Sequence, residues 1–485
     1  MDNFQPVAID WTMIMPVVLV VATGVLTLII KMLRMKRPNN ALIYLTLIGL
    51  AAAGIHAGTQ LNLPVGETLG QMFVRDRLSL LVQILLIGIA LLTVFFSEGY
   101  LREKHIAYGE FYPLVTWATA GAMLMVSTKN LLMIFMGLEV LSVALYVLAG
   151  MSRQESRSEE SAMKYLLLGA FMSCFLLYGI AFHYGATGGL HFSLISMGWS
   201  SHDLMTQRLL LFGLGMLLIG LLFKGSFVPF HTWTPDVYQG APTNVTTFMA
   251  AATKVAAIVV LYRVLDASLL LRELWMPLLF WVSILTMTLG NVVAILQKDV
   301  KRIISYSSIA HAGYILVALL AHLSDPERIS LSTTLFYLVA YSLMTVGALA
   351  VIALMARGGQ ESTRVEDLHG LWQRSPFAAV ALLIFMLSFI GVPPTAGFFG
   401  KFLIFRDALQ AGFMPLAILL GVNSMVSIYY YMGIARAAFM TKEPEERPRS
   451  AVPGFGWLSA CTVCVLGTLM ISFFAQILAS WVEKW

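Results

Sequence analysis

Four lysines and a glutamate stand in stretches of sequence that are otherwise almost wholly apolar. Glu139 lies in Phe135-Met-Gly-Leu-Glu-Val-Leu-Ser142, Lys164 in Ser161-Ala-Met-Lys-Tyr165, and Lys254 in Thr246-Thr-Phe-Met-Ala-Ala-Ala-Thr-Lys254. Lys224 ends the run Leu209–Phe223, and Lys401 follows Gly397-Phe-Phe-Gly. A charged side chain at the centre of a membrane span costs roughly 2.5–3.5 kcal/mol on insertion scales. Five unpaired charges would therefore cost about as much as the whole stability of a typical domain, ~5–15 kcal/mol. Such residues must pair, be hydrated or lose their charge, and groups poised between these states can carry protons.

Each has a structural alternative. Glu139, with Ser142 one turn away, is either a carboxyl that tunes a neighbouring lysine or a neutralised structural group. Lys164 either pairs with Glu139 on the preceding helix or snorkels to the surface. Lys224 sits at a helix C-terminus, whose partial negative charge favours an ammonium, while burial opposes the charged form. A lysine between those two effects can load and unload a proton. Lys254 is surrounded by small residues that leave room for water or close helix approach. Purely structural roles remain open for Lys254 and Lys401.

Polar residues between the lysines could relay protons. His311 shares a helix face with Ser307, Ser308 and Tyr314. His231 lies near Asp236 and Tyr238, and a neutral imidazole can accept on one nitrogen while donating from the other. Tyr429-Tyr430-Tyr431 reads as packing or an interfacial belt. No nucleophile–base set suggests hydrolysis. His183, His191, His202 and His322 lack metal-ligand spacing. Cys461 and Cys464 have CxxC spacing but no second ligand pair. No glycine-rich phosphate loop or cluster-binding pattern appears, so no metal and no cofactor of its own is expected in this chain.

The elements that position these groups must be membrane helices. Of 485 residues, 59% are hydrophobic and 12% charged, against about 25% charged in soluble domains. The mean hydropathy is +0.81. Apolar runs recur at about 8–30, 40–61, 78–97, 110–127, 130–151, 159–184, 207–226, 242–265, 274–296, 302–323, 330–356, 376–411, 414–438 and 452–480. Backbone groups in lipid must be satisfied within their own segment, so these fourteen runs are expected to be helices. Met1–Asp10 lacks a basic region and a cleavage site, which favours a retained first span over a signal peptide. Gly225–Pro242, with Pro229 and Pro235, and Gly391–Gly400, with Pro393 and Pro394, should each interrupt a helix.

Alternate loops hold Lys31, Arg34, Lys36, Arg37, Arg102, Lys104, Arg153, Arg157, Lys298, Lys301, Arg302, Arg357, Arg364, Arg374, Arg436, Lys442, Arg447 and Arg449, eighteen basic residues. The opposite side holds nine: Arg75, Arg77, Lys129, Arg208, Arg263, Arg272, Arg328, Arg406 and Lys484. The asymmetry places the first loop in the cytoplasm and both termini outside. Only Lys164, Lys224, Lys254 and Lys401 are left inside spans. The net charge of +5 then reflects topology rather than nucleic-acid binding. A shift of 172 residues superposes Glu139 on His311 and Tyr165 on Tyr337, a faint sign of an internal repeat. The expected architecture is an all-α polytopic membrane protein with two discontinuous helices and a pseudo-inverted repeat. It divides into helices 1–3 (1–109), two repeat-related halves (110–270 and 271–440) and a last helix (441–485).

The stretch Lys224-Gly-Ser-Phe-Val-Pro-Phe-His-Thr-Trp-Thr-Pro-Asp-Val-Tyr-Gln-Gly-Ala-Pro242 closely resembles the antiporter-like membrane subunits of respiratory complex I, the proton-pumping NADH:quinone oxidoreductase. Trp233-Thr-Pro-Asp-Val-Tyr-Gln-Gly-Ala-Pro242 is similar to the N branch. The L and M branches and Mrp-type cation/proton antiporters usually read Trp-Leu-Pro-x-Ala-His there. Gly137-Leu-Glu139, Lys298-Asp-Val-Lys-Arg-Ile-Ile-Ser-Tyr-Ser-Ser-Ile-Ala-His311 and Gly391-Val-Pro-Pro-Thr-Ala-Gly-Phe-Phe-Gly-Lys401 agree. The resemblance implies a Glu139–Lys224 pair, a central-axis lysine at Lys254 and a broken-helix lysine at Lys401. Lys164 and His311 fall at polar positions of the family, and His231 lies in its first broken region. It further implies proton translocation driven by electron transfer from NADH to quinone in other subunits, with NADH, FMN, iron–sulfur clusters and quinone held there. Expected partners are subunits M, K and J and lipid, in the cell inner (plasma) membrane. A subunit of an Mrp-type antiporter and a structural spacer are the alternatives.

Overall fold

The computed structural model describes residues 9–33, 40–200, 203–357, 360–361, 363–440 and 454–471. Of the basic loop residues, Arg34, Lys36, Arg37, Lys442, Arg447, Arg449 and Lys484 lie outside the described residues, as do both chain ends and most of 471–485.

Helices α1 (Trp11–Leu33) and α2 (Asn40–Thr59), a small antiparallel hairpin of β1 (Gly66–Thr68) and β2 (Phe73–Arg75), and α3 (Arg77–Glu103) open the chain. Asp76 caps α3, accepting from the Ser79 amide at 2.7 Å, and satisfies one of the donors that a helix start leaves free. Then follow α4 (Phe111–Val126), α5 (Leu131–Ala149), α6 (Ser156–Thr187), α7 (Ser193–Trp199), α8 (Leu204–Lys224) and α9 (Trp233–Gly240). Helices α10 (Thr243–Phe248) and α11 (Lys254–Ala267) are joined by a π-helical turn, Met249–Thr253. The second half contains α12 (Arg272–Ile295), α13 (Val300–Ser324), α14 (Ser332–Ala353), a hairpin of β3 (Ala356–Arg357) and β4 (Gln360–Glu361), α15 (Leu371–Arg374), α16 (Pro376–Ile390), α17 (Ala396–Gln410) and α18 (Met414–Met440). Helix α19 (Phe455–Met470) closes the described chain.

Eleven helical stretches among the described residues are long and apolar enough to cross a membrane, and α4, α16 and α19 are shorter apolar helices. The single span expected at 376–411 is two helices. Gly391, at φ +92°, ends α16, and Pro393 and Pro394 have no amide hydrogen to continue it. The first break lies between α8 and α9. Each break contains a cis X-Pro bond, Val228–Pro229 and Pro393–Pro394.

The molecule is layered by burial. In the most apolar eighteen-residue window of Thr243–Ala267 and of α13, 94% of the residues are buried, and in that of α14 89%, against 28% in α6. The inner helices thus carry Lys254, His311, Tyr337 and Tyr341. Gly137 lets α5 approach α4 closely: a Cβ there would lie 2.8 Å from the Gly121 carbonyl oxygen. That contact sets the height of Glu139, two residues on.

One rim gathers the basic residues. Asp236 of α9 receives Lys164 and Arg302, each at 2.8 Å. Burial raises its carboxyl, but the bonds from Lys164 and Arg302 bring it below the ordinary aspartate value. Beside it, Glu361 of β4 lies 3.5 Å from both Lys104 and Lys301 and accepts from Tyr100 and Thr243. Lys104 and Lys301 are each 2% exposed. They were expected in wetted loops, yet Lys301 lies within α13 and Lys104 at the end of α3, so four lysines undercounts the buried set. On the other rim, Arg263 donates to both Asp76 oxygens at 2.8 Å and to the Val126 carbonyl at 3.0 Å, tying α11 to α3 and α4.

Candidate functional site

Lys224, the last residue of α8, is 4% exposed. Its Nζ donates to Ser142 Oγ on α5 at 2.7 Å and to the Tyr165 hydroxyl on α6 at 3.1 Å, and lies 5.3 Å from the Tyr165 ring centre. Tyr165 points inward from α6 and is fully buried, so Lys224 ends its helix inside the protein. Hydroxyls hold it, not the helix-end carbonyls that the sequence suggested. Glu139 makes no direct pair with it among the described residues. Its Oε1 accepts from Ser173 Oγ at 2.5 Å instead. Ser142, Ser173, Tyr146 and Lys224 line a cavity of about 10 Å³, the room of one water molecule. The expected Glu139–Lys224 pair is therefore spaced by serines and a water-sized gap.

Lys254 begins α11 directly after the π turn, a local widening of the helix that recurs at functional sites. It is 1% exposed. Its Nζ donates to the Ser308 carbonyl, and to Ser308 Oγ at 2.6 Å, and lies 5.3 Å from the ring centre of Tyr341. The Tyr341 hydroxyl donates to Ser308 Oγ at 2.8 Å.

One turn beyond Ser308 stands His311, 1% exposed. Its Nδ1 is 2.7 Å from the Tyr337 hydroxyl and its Nε2 is 3.2 Å from the Tyr431 hydroxyl, which also bonds Ser307. Phe389 packs on the imidazole at 5.4 Å. The carbonyls of Phe389 and Ile390, the last two residues of α16, accept from Lys401 Nζ at 2.8 and 3.0 Å. Lys401 is 6% exposed and sits 4.9 Å from the Tyr314 ring centre. The helix-end capture expected for Lys224 is realised at Lys401, because the chain turns back at the second break and brings α17 against the carbonyl end of α16. Gly397 permits that fold-back: a Cβ would lie 1.8 Å from the Ser388 carbonyl oxygen.

Lys254, Ser308, His311 and Lys401 are thus brought together on one polar seam, with Lys224 in a second pocket. Lys164 is not part of either. Its side chain is 41% exposed and bonds Glu160 at 2.7 Å and Asp236 at 2.8 Å, not Glu139. Snorkelling wins because Lys164 lies only eight residues into a peripheral helix. His231 is half-buried between the two elements of the first break, and its Nδ1 has no hydrogen-bond partner among the described residues. The tyrosine triplet divides: Tyr430 and Tyr431 pack in the interior and also carry polar partners, Tyr430 donating to Asn291 at 2.8 Å and Tyr431 reaching His311. Tyr429 is 71% exposed. Tyr341 was not singled out, though its spacing of four from Tyr337 puts both on one helix face.

Residues 128–427 match a family model described as NADH:quinone oxidoreductase/Mrp antiporter, TM. The chain is 39% identical over 440 residues to the NADH-quinone oxidoreductase subunit N of Trichlorobacter lovleyi, covering 90% of this chain and 89% of that protein. It is 45% identical over 374 residues to subunit N of Mycobacterium bovis, covering 76% of this chain and 69% of that one. The chain belongs to the NADH-quinone oxidoreductase subunit N family. Its fold is also that of a chain in respiratory complex I from Thermus thermophilus, with a TM-score of 0.80, 34% identity and 96% and 99% of the two chains covered. A chain of the Mrp complex from Dietzia matches with a TM-score of 0.85 at 20% identity, over 98% and 96% of the two chains, which shows the shared fold alone. As a subunit N family member the chain is a multi-pass, antiporter-like membrane subunit of NADH-quinone oxidoreductase.

Proposed function

We propose that this subunit moves protons across the membrane along its buried lysines, driven by electron transfer in partner subunits. The observation that carries the reading is the company of Lys254. Its side-chain partner is a serine hydroxyl, shared with a tyrosine, and no carboxylate pairs with it among the described residues. A carboxylate would fix an ammonium in place. A hydroxyl can accept from an ammonium and donate to a neutral amine, so the same contact survives both states of the lysine.

Protons approach from the basic rim to Lys224 and Lys254. From Lys254 the proton passes to Ser308 and then to His311, whose two nitrogens contact Tyr337 and Tyr431 and so can accept on one side and release on the other. Lys401 receives it and holds it against two carbonyls, which only accept hydrogen bonds. Water completes the gaps between helices. Glu139, through Ser173, Ser142 and the small cavity, biases Lys224 without binding it. His231 serves the intake side, and Lys164 anchors α6 to Asp236.

The redox chemistry, with its NADH, FMN, iron–sulfur clusters and quinone, belongs to other subunits, and this chain contributes no redox site of its own. Subunits M, K and J are the membrane-arm neighbours. The basic rim faces the cytoplasm and both termini lie on the other side of the inner membrane. The decisive test is Lys254→Met in the assembled complex, with proton translocation and quinone reduction measured together. Translocation should be lost or sharply reduced. Normal pumping at normal turnover would leave the chain as a spacer.

A further inference from the structure

On the basic rim, a groove of about 870 Å³ opens between the end of α12, the start of α13, the later part of α18 and the 3-10 turn Val365–Leu368. Three exposed cations from three separate segments line its outer end: Lys298 before α13, Arg364 ahead of the turn, and Arg436 late in α18. Glu366 stands on the same rim, so three positive charges and one negative leave two net positive. The inner wall is apolar and is formed by Ile295, Ile428 and Met432. Ile428 lies eight residues before Arg436, about 12 Å along α18, so the apolar wall extends from the charged end toward the membrane interior. The ring of Tyr429, 71% exposed, also lines the groove, in the manner of aromatic side chains at the membrane–water boundary.

The two ends of this groove ask for different chemistry. A free anion needs no apolar wall, and an apolar helix of a neighbouring subunit needs no convergence of three cations. An amphiphile with a negative head and long chains satisfies both. We propose that the groove is a binding site for an anionic diacyl phospholipid, with its phosphate between Lys298, Arg364 and Arg436 and its acyl chains along Ile428 and Met432. Two guanidinium groups suit a phosphate because each can donate two parallel hydrogen bonds, and basic pockets between membrane helices bind anionic head groups by the same electrostatics. None of the three cations belongs to the proposed proton path, so the site stands whether or not that path is right.

The test uses the intact complex, delipidated in mild detergent and titrated with phosphatidylglycerol, phosphatidylcholine of the same acyl chains, or water-soluble glycerol phosphate, with binding read by native mass spectrometry. Wild type should retain phosphatidylglycerol over phosphatidylcholine. The triple variant Lys298→Gln, Arg364→Gln, Arg436→Gln should bind it about a hundredfold more weakly at this site, at roughly fivefold for each basic residue near the surface. The charge-keeping triple Lys298→Arg, Arg364→Lys, Arg436→Lys should retain the preference, which separates lost charge from lost folding. Met432→Trp, filling the apolar wall, should weaken phosphatidylglycerol binding with the cations intact. Equal binding by wild type and the Gln triple, or competition by glycerol phosphate as strong as by the lipid, would overturn the proposal. A density map of the complex showing a neighbouring subunit's helix in the groove would do so too.

Discussion

At Lys224 the partners are two hydroxyls, at Lys254 a hydroxyl and a carbonyl, and at Lys401 two carbonyls. This difference divides the three lysines by role. A hydroxyl partner can accept from the ammonium and donate to the neutral amine, whereas the two carbonyls at Lys401 can only accept. Ser308→Ala tests the distinction, because Ser308 Oγ is shared by Lys254 and Tyr341. A hydrogen bond to a charged group is worth about 1.5–3 kcal/mol, so pumping should fall roughly ten- to hundredfold while quinone reduction becomes less tightly coupled. Lys164→Gln, by contrast, should leave pumping near wild type, since its ammonium is wetted and lies on the rim. A pumping defect as deep as that of Lys254→Met would return Lys164 to the path.

At the scale of elements, the β3–β4 hairpin supplies Glu361 to a site between α3, α10 and α13. Burial raises its carboxyl, but Lys301 and Lys104, with Thr243 and Tyr100, bring it below the ordinary glutamate value of 4.5. A depressed folded value means that its contribution to stability is complete above the unfolded value and is lost as pH falls through the folded one. The thermal midpoint of the wild-type complex should therefore drop as pH is lowered past about 4.5, and Glu361→Gln should flatten that drop. At neutral pH, Glu361→Ala leaves Lys301 buried without its carboxylate, while Lys104 keeps Glu155, a loss of about 3–5 kcal/mol that differential scanning calorimetry would register. The second break is equally demanding. Gly397→Ala would drive a methyl into the Ser388 carbonyl, so the complex should assemble poorly, as read on native gels.

Taken whole, the molecule is a ring of lipid-facing helices around three nearly fully buried ones. The outer helices separate the polar seam from lipid, and the two rims differ in charge. That difference makes a testable statement about orientation. In a Cys174→Ser background, Arg153→Cys should react with a membrane-impermeant thiol reagent in inverted vesicles and not in intact cells, and Arg272→Cys should show the opposite. Both side chains are exposed on their rims. Labelling of both from the same face would reverse or break the assigned topology.

Apolar run length and the Gly/Pro clusters were enough to read helices, breaks and the buried charged groups from the chain alone, because lipid imposes one backbone solution and punishes any stray charge. The same logic singled out Lys224, Lys254, Lys401 and His311, and all four are buried. It could not choose their partners. Lys164 looked like a partner for Glu139 because short loops make neighbours, but its depth and the direction of its side chain send it to Asp236. Lys104 and Lys301 looked wetted because nothing local reveals that a distant hairpin brings Glu361 to them. Tyr431 looked like packing because its histidine lies 120 residues away. Pairing depends on which helix faces cross, and those faces are set by close backbone contacts such as Gly137 on Gly121 and Gly397 on Ser388. The chain alone therefore determined which groups had to be reconciled with lipid, and the tertiary structure decided whether each met a carboxylate, a hydroxyl, a helix end or water.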